Sequence, residues 1–293
     1  MKSIYVGKTK DVFEIEEKDS IGHIGKFVMV FKDTATGYVI DKGKPTERVV
    51  FDSGYDTVVG RIPGKGIVDC QSTAYFFSLL EEKGIPTHFV EKLDDRRIIV
   101  EPAMLFSLKN EAEDFEGSAN LNNLEVVFRR NYYGSLWRRH PHKRPCSFLR
   151  TLVEIYSKGL PNEPDILMRD DTLVEMGIMK LEEIEEVKKM TKEIADILSG
   201  EFAKRKLHLI DGKIEVGKRK SDGKVMVIDE ISTSVFRACK GFVLDERGNC
   251  INYKGCIETT YNNGKRTIRA KNLSTPSQIA EIFGFMCDQK RRK

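Results

Sequence analysis

The sequence predicts an α+β protein, with an antiparallel sheet first and mixed elements after it. Three observations carry this. Short clusters of β-forming residues recur through the first hundred positions, as at Ile4-Tyr5-Val6 and residues 26–31. A long stretch, residues 181–206, is dense in Glu and Lys but spaces Ile184, Val187, Ile194, Ile197 and Leu198 as one helical face. Ser221-Asp222-Gly223 lies between two apolar runs, and an Asp-Gly pair there is a strong hairpin signal.

In chain order, strands are expected at 4–6, 11–15 and 26–31, with the turn Gly7-Lys8 between the first two. Residues 45–60 read as an extra hairpin or strand pair. A helix is expected over 67–83, with Ala74, Phe77, Leu79 and Leu80 inward, stopped by Gly84-Ile85-Pro86. Strands follow at 87–90, 97–100 and 124–129, and residues 110–120 are turn-rich and acidic. Beyond the long helix come strands at 208–216 and 224–228, two hairpins turning near 246–249 and 262–264, and a closing helix over 277–288.

Composition bounds the function. The chain has 293 residues, 40% hydrophobic and 32% charged, which suits one large or two modest globular domains. No apolar run approaches the ~18 residues that span a bilayer, and the N-terminus lacks an apolar signal core, so no membrane partner and a cytoplasmic location are expected. Lys+Arg 49 against Asp+Glu 45 gives +4, too balanced to argue for a nucleic-acid partner. Six scattered cysteines without a CxxC pair are expected to be reduced and to form no structural metal site.

Three segments carry candidate chemistry. On a strand, Asp211, Lys213 and Glu215 share one face while Ile210, Ile214 and Val216 share the other. The paired strand ends in Asp229-Glu230, so Glu215 and Asp229 suit an oxygen-coordinated Mg²⁺ that also holds phosphate oxygens; a plain surface strand is the competing reading. Gly7-Lys8-Thr9-Lys10 offers close backbone approach and positive charge for a phosphate, or simply a hairpin with solvated lysines. Arg129 at a strand end, leading to the turn Gly134-Ser135, suits a phosphate cradle, or a basic edge strand.

Together these pieces resemble the SAICAR synthetase family. The matching stretches are Tyr5-Val6-Gly7-Lys8-Thr9-Lys10, Val30-Phe31-Lys32-Asp33-Thr34-Ala35-Thr36, Gly64-Lys65-Gly66, Gly84-Ile85-Pro86-Thr87-His88-Phe89, Leu124-Glu125-Val126-Val127-Phe128-Arg129, Gly134-Ser135-Leu136-Trp137-Arg138-Arg139, Asp211-Gly212-Lys213-Ile214-Glu215-Val216-Gly217 and Asp229-Glu230-Ile231-Ser232. They run in family order from residue 1 to about 237.

The resemblance implies a two-lobed fold related to ATP-grasp enzymes and protein kinases, with residues 1–100 as an antiparallel-sheet ATP-binding lobe and 101–293 as a larger α+β lobe. It implies ATP and Mg²⁺ as cofactors, and nucleotide and amine substrates joined through an acyl phosphate in purine biosynthesis. Gly7, Lys8, Lys10, Glu101 and Lys158 would bind ATP, and Glu215 and Asp229 would hold the metal. Arg129, Ser135 and Arg237 would grip a ribonucleotide phosphate, while Lys213, Asp211 and Lys158 would stand at the chemistry. Family members form homo-oligomers.

Departures accompany the match. The family reads Pro-Asp before its arginine, and this chain has Thr233-Ser234 with the spacing kept. Its His-Asp-Pro becomes Asn162-Glu163-Pro164, and residues 40–58 and 108–120 look inserted. These changes point to an altered second-substrate pocket, so a paralogue using another amine or carboxylate, a non-catalytic nucleotide-binding module and a kinase-like phosphotransferase are the competing functions.

Overall fold

The computed structural model describes residues 1–16, 23–51, 57–106, 123–143, 146–157, 165–244, 246–247, 250–253, 257–262, 265–270, 273–274 and 276–285. The chain begins with β1 (Lys2–Val6), β2 (Lys10–Glu14) and β3 (Phe27–Phe31), then β4 (Thr34–Ile40), β5 (Arg48–Phe51) and β6 (Thr57–Arg61). After α1 (Lys65–Glu82) come β7 (Phe89–Lys92) and β8 (Arg97–Val100), which complete a five-stranded antiparallel sheet of order β1-β2-β3-β8-β7. The expected hairpin over 45–60 takes another form: β5 and β6 each pair with β4 in a separate three-stranded sheet rather than with each other.

The start of α1 is fixed from a distance. Gly64 enters the helix in the left-handed region at φ +83 and offers no side-chain cap. Asp33 acts instead, accepting the Gly66 N–H at 3.0 Å while the Arg96 guanidinium forks onto its two oxygens at 2.9 Å each. The Arg96 hydrogen bond holds the Asp33 carboxyl below its usual value despite burial. At the other end Gly84 takes φ +81, the left-handed stop the sequence predicts. The inward face of α1 is wider than the spacing suggests: Phe76 joins Phe77 and Leu80 in full burial, and Leu79 is half-buried.

A second sheet follows, built from β9 (Ala103–Leu105), β10 (Glu125–Asn131), β11 (Phe148–Ser157), β12 (Ile166–Met168), β13 (His208–Arg219), β14 (Val225–Ile228), β15 (Phe236–Cys239) and β20 (Leu273–Ser274). Between these lie α2 (Gly134–Arg139), α3 (Asp170–Glu175) and α4 (Leu181–Ala203). The main path runs β12-β11-β10-β13-β15-β20. Gly134-Ser135 thus opens a short helix, where the sequence suggests only a turn. The amphipathic face of α4, from Ile184 to Phe202, covers the sheet's inner side. Hairpins β16 (Phe242–Leu244) with β17 (Cys250–Tyr253) and β18 (Ile257–Asn262) with β19 (Lys265–Ala270) follow, and α5 (Pro276–Phe283) ends the described chain. The first hundred residues are stitched to this sheet where Val227 N–H donates to Pro86 O and His88 N–H to Val227 O.

β13 is the axis of the molecule. One edge pairs with β10 and β9, the other with β15 and β14. Gly212 is required there: a Cβ would stand 2.5 Å from the Phe128 ring and 2.7 Å from Phe236, which close over the bare backbone. The strict alternation expected along β13 breaks at its start. A bulge between Leu209 and Asp211 turns Leu209 into the main core with Ile214 and Val216, whereas Ile210 packs apart with Tyr133, Cys146 and Cys239. Cys70 and Cys239 are free thiols as expected, but Cys146 is disulfide-bonded.

Candidate active site

Cross-strand register assembles the site. Asp211 on β13 lies opposite Arg129 on β10 and opposite Arg237 on β15, so the three form one rung across the sheet. Lys213 faces Val127 and Glu215 faces Glu125 on the same side. Antiparallel pairing brings these charges together from segments far apart in sequence.

The rung is tightly bonded. Arg237 Nε donates to Asp211 Oδ1 at 2.7 Å and Nη2 to Oδ2 at 2.5 Å, a bidentate pair. Arg129 donates to Glu154 Oε2 at 2.5 Å, to Ser135 Oγ at 2.9 Å and to Asp211 Oδ2 at 3.5 Å. Arg129 is only 3% exposed, whereas the Arg237 side chain is 39% exposed and stacks on the Tyr133 ring at 4.8 Å. Arg139 also binds Glu154 and reaches Tyr156 Oη at 3.0 Å. Burial pushes the Glu154 carboxyl up, but Arg129 and Arg139 outweigh it and hold the group ionised below its usual range. Gly134, at φ +58, leaves room for the guanidinium of Arg237.

A second cluster forms where β14 ends. Asp229 directly follows Ile228, the partner of Glu215, and adopts a left-handed φ of 64°. A non-glycine residue held there is strained and concentrates at functional sites. Lys10 crosses from β2, its Nζ 2.8 Å from Asp229 Oδ2 and 2.6 Å from Glu230 Oε1. Burial alone would lower the Lys10 ammonium, yet the two carboxylates overcome it and raise the group well above its usual value. His88 Nε2 lies 3.3 Å from the Asp229 carbonyl oxygen, and burial pushes that imidazole down to about 4. The neutral ring then serves as an N–H donor to the strained backbone.

Asp211, Arg129, Ser135, Arg237, Lys10 and Asp229 come together in these two clusters, and the other sequence-selected residues stand elsewhere. Lys10 is half-buried in an ion-pair network rather than solvated, while Lys8 is exposed on the turn. Gly7 must be glycine, since a Cβ would sit 2.6 Å from Lys10 O. Lys213 Nζ is held by Glu125 Oε1 at 2.7 Å, and Asn123 reaches Glu215 Oε2 at 3.4 Å. Glu101, after β8, pairs with Lys26 at 3.2 Å and Arg219 at 3.5 Å. Lys158, and the changed segment Asn162-Glu163-Pro164, lie outside the described residues. The sequence reading gives no role to Glu154, Glu125 or Lys65, although Glu125 and Lys65 lie in the stretches 124–129 and 64–66 that it singles out.

Glu215 and Asp229 fit Mg²⁺ by donor type, as hard carboxylate oxygens. Among the described residues no group of three or more His, Cys, Asp or Glu side chains is placed to hold a metal.

Residues 51–240 match the family model described as SAICAR synthetase. This chain belongs to the SAICAR synthetase family. Among relatives of the family, phosphoribosylaminoimidazole-succinocarboxamide synthase of Clostridium tetani is 32% identical over 242 residues, covering 82% of this chain and 93% of its own length. The enzyme of that name from Chlorobaculum tepidum is 31% identical over 268 residues, covering 90% and 96%. A solved SAICAR synthetase in complex with ADP superposes with a TM-score of 0.59 at 29% identity, covering 80% of this chain and 83% of that one. The α+β architecture described above is the two-lobed SAICAR synthetase fold.

Proposed function

We propose that this chain is an ATP-dependent amide-forming ligase of purine biosynthesis, which joins the carboxylate of an aminoimidazole ribonucleotide to the amine of L-aspartate. Support comes from family membership over most of the chain, together with one observation: the Arg129–Asp211–Arg237 rung crosses β13, and the β14 strand paired with β13 at Glu215 leads directly into Asp229 and Glu230, which Lys10 of β2 binds. In this reading the rung is an anion cradle and the Lys10 cluster a phosphoryl-transfer centre.

In this reading the sheet of residues 1–100 forms the ATP-binding lobe and the rest carries the acceptor site. Lys8 and Lys10, beside the Gly7 turn, attract the nucleotide phosphates, and Glu101 lies at the crossing between lobes. Glu215 and Asp229 would hold Mg²⁺, which would supply positive charge against that of the nucleotide's phosphates. Lys213, steadied by Glu125, faces the carboxylate that takes up the γ-phosphoryl group. The resulting acyl phosphate is attacked by the amine; the C–N bond forms as the C–O bond to phosphate breaks, and the amine proton leaves to solvent. Arg237 presents its fork to the ribonucleotide phosphate, with Arg129 holding Ser135 and Asp211 behind it. Catalysis is then mainly positioning and electrostatics. Amine-dependent ADP release from Mg-ATP and the ribonucleotide tests this reading.

A further inference from the structure

The segment from Asp229 to Arg237 connects the two clusters, and after Glu230 it carries no acidic residue, with Thr233-Ser234 at its middle. Ser234 Oγ donates to Asp69 Oδ1 at 2.8 Å, and the other Asp69 oxygen takes the Lys65 ammonium. One rung along the same helix, Thr233 N–H points to Ser72 Oγ at 3.4 Å. Asp69, Ser72 and Thr233 are all buried, at 3%, 0% and 0% exposure.

We infer that Asp69 supplies from α1 the acidic group that the segment itself lacks, and is a positioning residue for the ligase reaction. A buried carboxylate is costly unless bonded and paired, and here Ser234 and Lys65 satisfy both oxygens. The charges then alternate through the interior. Lys10 binds one side of Glu230, Lys65 lies in the field of Glu230 and is bound to Asp69, and Asp69 holds Ser234. Glu230 Oε2 and Thr233 Oγ1 are buried without a hydrogen-bond partner among the described residues, while Ser232 bonds the Ser234 and Val235 amides within the segment. α1 is also fixed at its start by Asp33, which makes it a rigid support. Asp69 therefore sets the spacing between Asp229, on the phosphoryl side, and Arg237, on the acceptor side.

The inference rests on the ligase reading for its kinetic consequence, and the test separates the two. Three proteins are compared: the parent, D69N, and D69N/S234D, which moves the acid onto the segment. In D69N, hydrogen exchange of the amides of residues 229–237 is expected to rise. Its kcat is expected to fall about ten- to a hundredfold, the scale of ~1 Å misplacement of reacting groups, with KM for ATP within about twofold. D69N/S234D is expected to recover both exchange protection and most of kcat. Exchange at 229–237 unchanged in D69N, or a double variant no better than the single, would overturn the inference. So would a double variant that regains thermal stability but not kcat, because Asp69 would then serve folding alone. A parent without amine-dependent turnover defeats the ligase reading, while the exchange comparison still decides whether Asp69 holds the segment.

Discussion

The Lys10 ammonium stands 2.8 Å from Asp229 Oδ2, joining the first hairpin of the chain to the end of β14 across 219 positions of sequence. Glu230 closes the triad at 2.6 Å, with side-chain exposures of 12%, 28% and 9% for Lys10, Asp229 and Glu230. Removing the cation leaves two carboxylates facing each other in a partly dry site. Lys10→Met is expected to destabilise the fold by about 3 kcal/mol, the scale of breaking one side of a buried pair. Urea unfolding measures this, and adding Glu230→Gln to the variant should recover part of the loss. Equal midpoints for parent and Lys10→Met would contradict the burial of the triad.

Asp229→Asn keeps the side-chain shape but removes the negative charge assigned to the metal. Mg²⁺-dependent ADP formation is expected to drop at least about a hundredfold, as for loss of one preorganised electrostatic group. Isothermal titration of Mg-ADP should show weakened binding alongside. Full activity would remove Asp229 from the metal site.

Gly134 sits at φ +58 with the Arg237 fork against it; a Cβ would stand 2.6 Å from Nη1 and 2.8 Å from Nη2. The guanidinium is pinned by Asp211 and Tyr133, so it cannot swing aside freely. Gly134→Ala is expected to weaken ribonucleotide binding about tenfold, equivalent to ~1.4 kcal/mol, and to leave ATP affinity near the parent value. Arg237→Lys should weaken it similarly, since an ammonium cannot reproduce the bidentate fork. Parallel titrations with the ribonucleotide and with Mg-ADP distinguish the two ligands.

His208 gives the pH dependence of stability a defined direction. Burial, aided by Arg130, pushes its pKa from 6.5 down to about 4, and its Nε2 lies 2.9 Å from Asn131 Oδ1. Between those values the unfolded chain binds more protons than the folded one. Stability from this group is thus complete above about 6.5 and is lost as pH falls toward 4, with a slope of at most about 1.4 kcal/mol per pH unit. Urea midpoints at pH 7.5 and pH 5 measure the slope, which His208→Gln should flatten.

The sequence made some of this legible and hid the rest for physical reasons. Asp222-Gly223 marks a local turn, so the β13–β14 hairpin and the proximity of Glu215 to Asp229 follow from neighbouring residues alone. The helices over 65–82 and 181–203 announce themselves through apolar spacing, the first also through its Gly84 stop. The Lys10–Glu230 and Ser234–Asp69 contacts join elements far apart in sequence, and only tertiary packing specifies them. The bulge at Leu209 and Asp211 changes which residues face the core, and Gly212 beside it is its one local signal. Asp211 looked like one member of a charged row. The register shows that it is instead clasped by two arginines that the sequence places 82 residues before it and 26 residues after it.

The most direct test of the ligase account is ADP release by the purified protein with Mg-ATP and the aminoimidazole carboxylate ribonucleotide, measured with and without L-aspartate. The account predicts turnover that requires all three substrates and yields one amide product per ADP. ADP release indifferent to aspartate, or none at all while ATP and ribonucleotide both bind, would contradict it.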